Sequence, residues 1–244
     1  MFKGGILQSD PMFYNFLPSS AYKALQKAYY GTLPCSPTNT ACITSLPLST
    51  LLSVQNGLYS NASTISPAAG LAQPLRPSVD GSFVTTSLTG NSFPPSLKPL
   101  LITTVLNDAG VNIGMAFSLG TPSSWYQPVV DATFGSSRTT TLLGSQWYSM
   151  NHLQAQTPPN DQTRVQLEFL GTDATWRCPN WSFARSYVAK GGSVHVGRFM
   201  LGATYENDPP VDYCIQNGRV CHEDDIYITV RPSFPRALTL EFVD

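Results

Sequence analysis

Short apolar runs separated by polar breaks carry most of the order in this chain, and they follow two periods. Phe2 to Gln8 (FKGGILQ) predicts a short, buried strand that Ser9-Asp10-Pro11 breaks. Ser19 to Tyr30 (SSAYKALQKAYY) sets Ser before Ala and then apolar residues at helical spacing. It predicts a helix stopped by Gly31. Within Ile43 to Asn56 a second short helix is expected from near Leu48. Tyr59 to Gln73 is expected to be irregular, and Pro77 to Phe83 to turn into an extended piece.

Lys98 to Asp108 (KPLLITTVLND) is the clearest strand. Its apolar, β-branched stretch Leu100–Val105 suits a strand buried on both faces of a parallel sheet. Thr121 to Pro159 is aromatic and polar, so Trp125, Tyr126, Trp147 and Tyr148 either line a pocket or pack as short helices. Val165 to Ala189 predicts two helical stretches, around Asp173 and around Cys178-Pro179. Ser193 to Leu201 predicts a further strand, with His195 inside it as a structural residue.

Composition narrows the function. At 244 residues the chain can bury a sizeable core as one domain or hold two small ones. Charged residues make up 12% and the net charge is −1, which leaves no basic field for nucleic acid or an anionic membrane. No apolar run approaches the roughly 18 residues of a membrane span. Many Pro, Ser and Thr, with sequons at Asn61-Ala62-Ser63 and Asn180-Trp181-Ser182, suit a secreted surface. Against that, Met1 to Gln8 holds no apolar signal-peptide core and no cleavage site, so location stays open. A chain starting inside a strand is expected to have lost its beginning.

Five cysteines are an odd number. Cys35 with Cys42, and Cys214 with Cys221, bracket short loops that close readily as disulfides worth about 2 kcal/mol each, leaving Cys178 over. The alternative is five reduced, buried thiols. No C-x-x-C spacing occurs, so no zinc site is expected.

The densest chemistry lies in Asn217 to Val230 (NGRVCHEDDIYITV). Cys221, His222, Glu223, Asp224 and Asp225 follow one another directly, and His222 is one of only three histidines. Imidazole titrates nearest neutrality, so a positioned His is the commonest general base. The bland alternative is a solvated acidic loop. Asp108 sits at the tip of the Asn107–Gly110 turn that ends the clearest strand. Functional groups in open α/β sheets collect outside the carboxyl ends of strands, although Asp108 could equally close the turn or cap the next helix. His152, in a polar loop, has no partner in sequence and receives no role.

Six stretches, in order, resemble the C-terminal half of the type-B carboxylesterase/lipase (cholinesterase-like) family, especially its fungal members. Phe2 to Ser9 is similar to the strand after the nucleophile's helix. Cys35 and Cys42 match the small disulfide loop that follows, and Pro77-x-Val79-Asp80-Gly81 matches the PxxDG turn. Lys98 to Gly110 resembles the strand bearing the triad acid, and Thr172-Asp173 with Cys178-Pro179 resembles the DxxFxCP helix. Val220 to Asp225 resembles the histidine loop, often CHxxE. The resemblance covers residues 1 to 230 and implies a partial α/β-hydrolase fold, as a single incomplete domain over 1–244 without the N-terminal half and the last helices.

That family orders its triad as Ser, Asp/Glu, His. The resemblance makes His222 the base and Asp108 the acid. Its members usually carry Glu there, often in DEG. Aligning Gly110 with that Gly would put Ala109 on the acid position, so the register that aligns the carboxylates is adopted. The implied substrates are small carboxylic esters, with no cofactor or metal, and the missing N-terminal half is a candidate partner. No G-x-S-x-G occurs: Gly191 to His195 and Gly90 to Pro94 each lack the closing Gly. The serine elbow and oxyanion loop are expected upstream of Met1, which makes independent activity doubtful. Two other outcomes remain open: a non-catalytic binding module of the cholinesterase-like kind, and a truncated, inactive product.

Overall fold

The computed structural model describes residues 2–70, 73–88, 93–153, 157, 160–202, 212–216, 218–226 and 241–242. They fall into two compact units: Met1–Phe13 with Phe93–Asp244, and Tyr14–Ser92.

Among the described residues the first unit is built on a four-stranded sheet of β1 (Gly5–Gln8), β2 (Leu100–Val105), β3 (Val194–Phe199) and β4 (Glu241–Phe242), in that order. β1, β2 and β3 run parallel, with Ile6 beside Leu101 and Ile102 beside Val196, while β4 is antiparallel to β3. Ile102, Thr103, Thr104 and Val105 are all buried, as a run of apolar and β-branched residues covered on both faces requires. Parallel neighbours need long crossovers. Between β2 and β3 these are α4 (Gly110–Ala116), α5 (Tyr126–Phe134), α6 (Ser136–Leu143), α7 (Met150–Leu153), α8 (Gln162–Thr172) and α9 (Cys178–Ala189).

The two helical stretches expected in Val165 to Ala189 form one unbroken run, because a π-helical turn, Asp173–Arg177, joins α8 to α9. Pro179, in the first turn of α9, brings no N–H and crowds the carbonyl four residues back, and widening the ladder just before it relieves both. Tyr126, Val130, Leu167 and Leu170 close the core under this run.

In the second unit α1 (Ser19–Thr32) and α3 (Leu48–Ile65) pack Leu17, Ala21, Leu25, Leu58, Ala62 and Ala69 into one cluster, with α2 (Thr40–Ser45) between them in sequence. Three expectations change here. α1 passes through Gly31 and ends at Thr32, because Leu33 precedes Pro34 and is held extended at ψ 148°. α2 was not foreseen; the Asn39 side chain caps it by accepting the Cys42 N–H at 3.0 Å. α3 overruns Tyr59, since Leu58 and Ala62, one helical turn apart, continue the buried face and the Ser and Asn between them stay outside. A Cys35–Cys42 disulfide ties α2 to the segment after α1. In the Asp80-Gly81 turn, Asp80 Oδ1 accepts the N–H groups of Ser82, Phe83 and Val84 at 2.8, 2.8 and 2.9 Å, which holds its carboxyl below the usual range. Gly81 supplies the positive φ of 77° that this turn needs. Among the described residues no helix is long and apolar enough to cross a membrane.

Candidate functional site

Past the carboxyl end of β2 the chain turns through Asn107 and Asp108. Asp108 is 0% exposed. Its Oδ2 accepts the Val105 N–H at 3.0 Å, which closes the turn, and its Oδ1 lies 2.9 Å from Nδ1 of His222. Of the roles the sequence left open for Asp108, closing the turn falls to Oδ2, while Oδ1 faces His222; its side chain does not cap α4. An ionised carboxylate only accepts, so in the neutral imidazole this contact favours the proton on Nδ1 and leaves the lone pair on Nε2.

Backbone pairing and a buried ionic network bring His222 to this place. Asn107 donates its N–H to Val220 O at 2.8 Å and accepts the Val220 N–H on Oδ1 at 3.1 Å, joining the end of β2 to the histidine loop. Its side-chain Nδ2 donates to Glu168 Oε1 on α8, and Tyr213 donates its hydroxyl to Glu168 Oε2. Arg219 faces the same Oε2 at 2.7 Å. The Arg164 and Arg219 guanidiniums lie over the Tyr213 ring at 4.5 and 4.6 Å from its centroid. Burial raises the Glu168 carboxyl, and Arg219, Tyr213 and Asn107 pull it back.

The Cys214–Cys221 disulfide clamps the loop from the other side. It leaves no room at Gly110, where a Cβ would lie 2.4 Å from the Cys221 sulfur and 3.4 Å from that of Cys214. Gly110→Ala is therefore expected to cost roughly 1–3 kcal/mol, as overpacking does, read as a lowered midpoint in urea unfolding. An unchanged midpoint would show that the disulfide can move aside.

Trp176, in the π-helical turn, stands against the imidazole with ring centroids 5.4 Å apart, and its Nε1–H is tied to Ser9 O at 2.9 Å. Gln8, at the end of β1, donates to Asp225 Oδ2 at 3.2 Å. The end of β1, the π-helical turn and the histidine loop therefore converge beside Asp108, outside the carboxyl ends of the parallel strands. Burial disfavours charge on His222. The hydrogen bond and attraction of Asp108, with smaller help from Glu223 and Asp225, outweigh it and hold the imidazole above its ordinary value. The His222 side chain keeps 33% of its surface open, and no hydrogen bond engages Nε2 among the described residues. A buried carboxylate, a fixed tautomer and an open Nε2 together can accept a proton from a neighbouring hydroxyl or water.

No protein-family model matches the sequence, and no curated protein does. In three dimensions the chain is similar to a solved PNB esterase, with a TM-score of 0.51 at 13% identity, over 93% of this chain and 42% of that one. The carboxylesterase EST55 of Geobacillus stearothermophilus gives a TM-score of 0.48 at 16% identity, over 88% of this chain and 42% of that one. The likeness is one of fold. It rests on the PNB esterase, and it makes this chain carboxylesterase-like in its small parallel sheet and surrounding helices. The chain spans about two fifths of the length of these structures.

The remaining candidates lie elsewhere. His195 is exposed on β3, and His152 packs edge-on against Trp147 with centroids 5.1 Å apart. Trp125 and Trp147 are exposed, Tyr126 belongs to the core, and Tyr148 donates its hydroxyl to Asp173 at 3.1 Å. Ser193, in the near-match to a serine elbow, leads into the amino end of β3. That is roughly 17 Å of strand length from the end where Asp108 lies, too far to serve His222. In the other near-match, 90–92 lie outside the described residues, as do Asn217 and 227–230 of the histidine stretch. Cys178 is a free, exposed thiol. Among the described residues no three His, Cys, Asp or Glu side chains gather as a metal-ion set.

Proposed function

We propose that this chain is the C-terminal part of a serine carboxylic-ester hydrolase of the α/β-hydrolase kind, with both units belonging to that one domain. It supplies two of the three catalytic side chains. Asp108 is the acid: it fixes the Nδ1–H tautomer and stabilises the imidazolium. His222 is the base: its Nε2 takes the serine proton as the hydroxyl attacks the ester carbonyl, then returns it to the departing alcohol. The observation that carries this reading is the 2.9 Å contact between His222 Nδ1 and a fully buried Asp108 just past a parallel strand. Esterase-like folds in solved structures support the same reaction class. The substrate is a small ester of a carboxylic acid.

The nucleophile that this pair serves stands outside these 244 residues, since they contain no G-x-S-x-G. Purified alone, the chain is expected to hydrolyse p-nitrophenyl butyrate no faster than buffer. Removing a triad serine from a comparable hydrolase costs about a millionfold in kcat, and missing oxyanion donors would add to that. Turnover by the isolated chain that vanishes in His222→Ala would contradict the proposal, because a nucleophile would then lie inside it.

A further inference from the structure

Asp108 holds one atom of the His222 ring, and a single hydrogen bond fixes a point rather than a plane. The torsion that turns an imidazole about its Cβ is broad, so the ring could pivot on that contact and carry Nε2 aside. A base works only when held within about 0.5 Å and 10–20° of its productive geometry. Displacement by about 1 Å can cost about a hundredfold in rate. A second contact is needed to fix the plane.

Trp176 makes that contact. Its ring centroid lies 5.4 Å from that of the imidazole, and the residue is 5% exposed. The indole is itself tied down at the carboxyl ends of the strands. Its Nε1–H donates to Ser9 O at 2.9 Å, and the Ser9 N–H donates to Thr103 O at 2.8 Å. Ser9 leaves β1 at a φ of 45°, in the left-handed region that residues other than Gly seldom adopt. Arg177, the next residue after Trp176, donates to Leu106 O at 3.1 Å. Thr172, just before the π-helical turn, is 0% exposed and accepts the Ala109 N–H on its hydroxyl at 3.1 Å. Leu106 and Ala109 bracket Asn107 and Asp108. The turn is thus fastened on both sides of Trp176 to the segment that carries the acid, and the imidazole touches both acid and indole. π-Helical turns occur frequently at functional sites. Here the turn that accommodates Pro179 also sets an aromatic ring against the histidine.

We propose that Trp176 is a positioning residue for His222: its anchored indole stops the imidazole from pivoting about the Asp108 contact and so keeps Nε2 available. The inference rests on the reading of His222 as a base oriented by Asp108. Besides Asp108, the charged groups acting on the imidazole are Glu223 and Asp225 of its own loop. Asp173 and Arg177, from the π-helical turn, pair with each other.

NMR of the 244-residue chain, of Trp176→Ala and of Trp176→Phe tests this, with Asp108→Asn as the control. In the unaltered chain, cross-relaxation is expected between carbon-bound protons of the indole and of the imidazole. Trp176→Ala should lose the downfield Nδ1 proton of charged His222 and bring its pKa down toward the free value of about 6.5. Trp176→Phe, which keeps a ring, should retain the proton and the raised pKa. A tryptophan that only fills space would leave both unchanged in the folded protein. The proposal is overturned if folded Trp176→Ala titrates like the unaltered chain, if Trp176→Phe behaves like Trp176→Ala, or if the cross-relaxation is missing. Where Trp176→Ala does not fold, the cross-relaxation and Trp176→Phe decide. If Asp108→Asn leaves the His222 titration unchanged, the acid–base reading falls and this inference with it. If Asp108→Asn shifts the titration and Trp176→Ala does not, this inference alone falls.

Discussion

In a polypeptide that joins this chain to a serine nucleophile, the proposed roles predict that His222→Ala lowers kcat for p-nitrophenyl butyrate about a millionfold, with KM little changed. Asp108→Asn is expected to lower it about ten-thousandfold. Under the proposed roles the two differ because the residues do different work. Without His222 nothing takes the serine proton. With Asn at 108 the imidazole remains, but an amide can donate to Nδ1, which favours the tautomer whose proton sits on Nε2, where the lone pair is needed. The pH profile carries a second signature. His222 must be neutral to act, and Asp108 raises its pKa, so activity should climb as pH rises through that raised value. Asp108→Asn should move the climb to lower pH. Equal losses in both variants, or an unmoved profile, would count against the division of roles.

Glu168→Ala is expected to destabilise the protein by about 3–5 kcal/mol, read from urea unfolding. The carboxylate is buried at 1% side-chain exposure, and Arg219, at 6%, faces it at 2.7 Å. Removing it takes the counter-charge from a nearly buried guanidinium and an acceptor from both Asn107 and Tyr213. Replacing a whole buried pair by apolar residues can be neutral; removing one member is what destabilises. The loss should also reach the candidate site. Asn107 loses the anchor of its amide while its Oδ1 still holds the Val220 N–H, two residues before His222. A destabilisation below about 1 kcal/mol would mean that the network is solvated rather than buried.

Asp108 and His222 stood out in the sequence for separate reasons: one follows an apolar β-branched run at a strand's carboxyl end, the other sits between a cysteine and an acidic run. β2 was legible because burial on both faces imposes an unbroken apolar stretch on a short segment. What joins the two residues was not legible. Asn107, Glu168, Tyr213 and Arg219 meet only once the β2–β3 crossover and β3 itself are in place, and no local pattern marks a buried Glu as a ligand of a distant Arg. Trp176 did leave a trace, since it occupies the aromatic position of the DxxFxCP pattern between Asp173 and Cys178. The helix boundaries failed for local reasons. Gly31 could end a helix but Pro34 did, and the Ser-rich continuation of α3 hid a buried Leu58–Ala62 face.

Stability should follow the same charge as activity, with the opposite slope. A histidine whose folded pKa is raised contributes stability that is fully present below its unfolded value of about 6.5 and is lost as pH rises through the folded value. The most direct test of the Asp108–His222 assignment is therefore an NMR titration of the His222 imidazole in the chain and in Asp108→Asn. The pairing predicts a pKa above that of a free imidazole, a strongly downfield Nδ1 proton in the charged form, and loss of both in Asp108→Asn. A His222 that titrates alike in the two proteins, with no such proton in either, would contradict it.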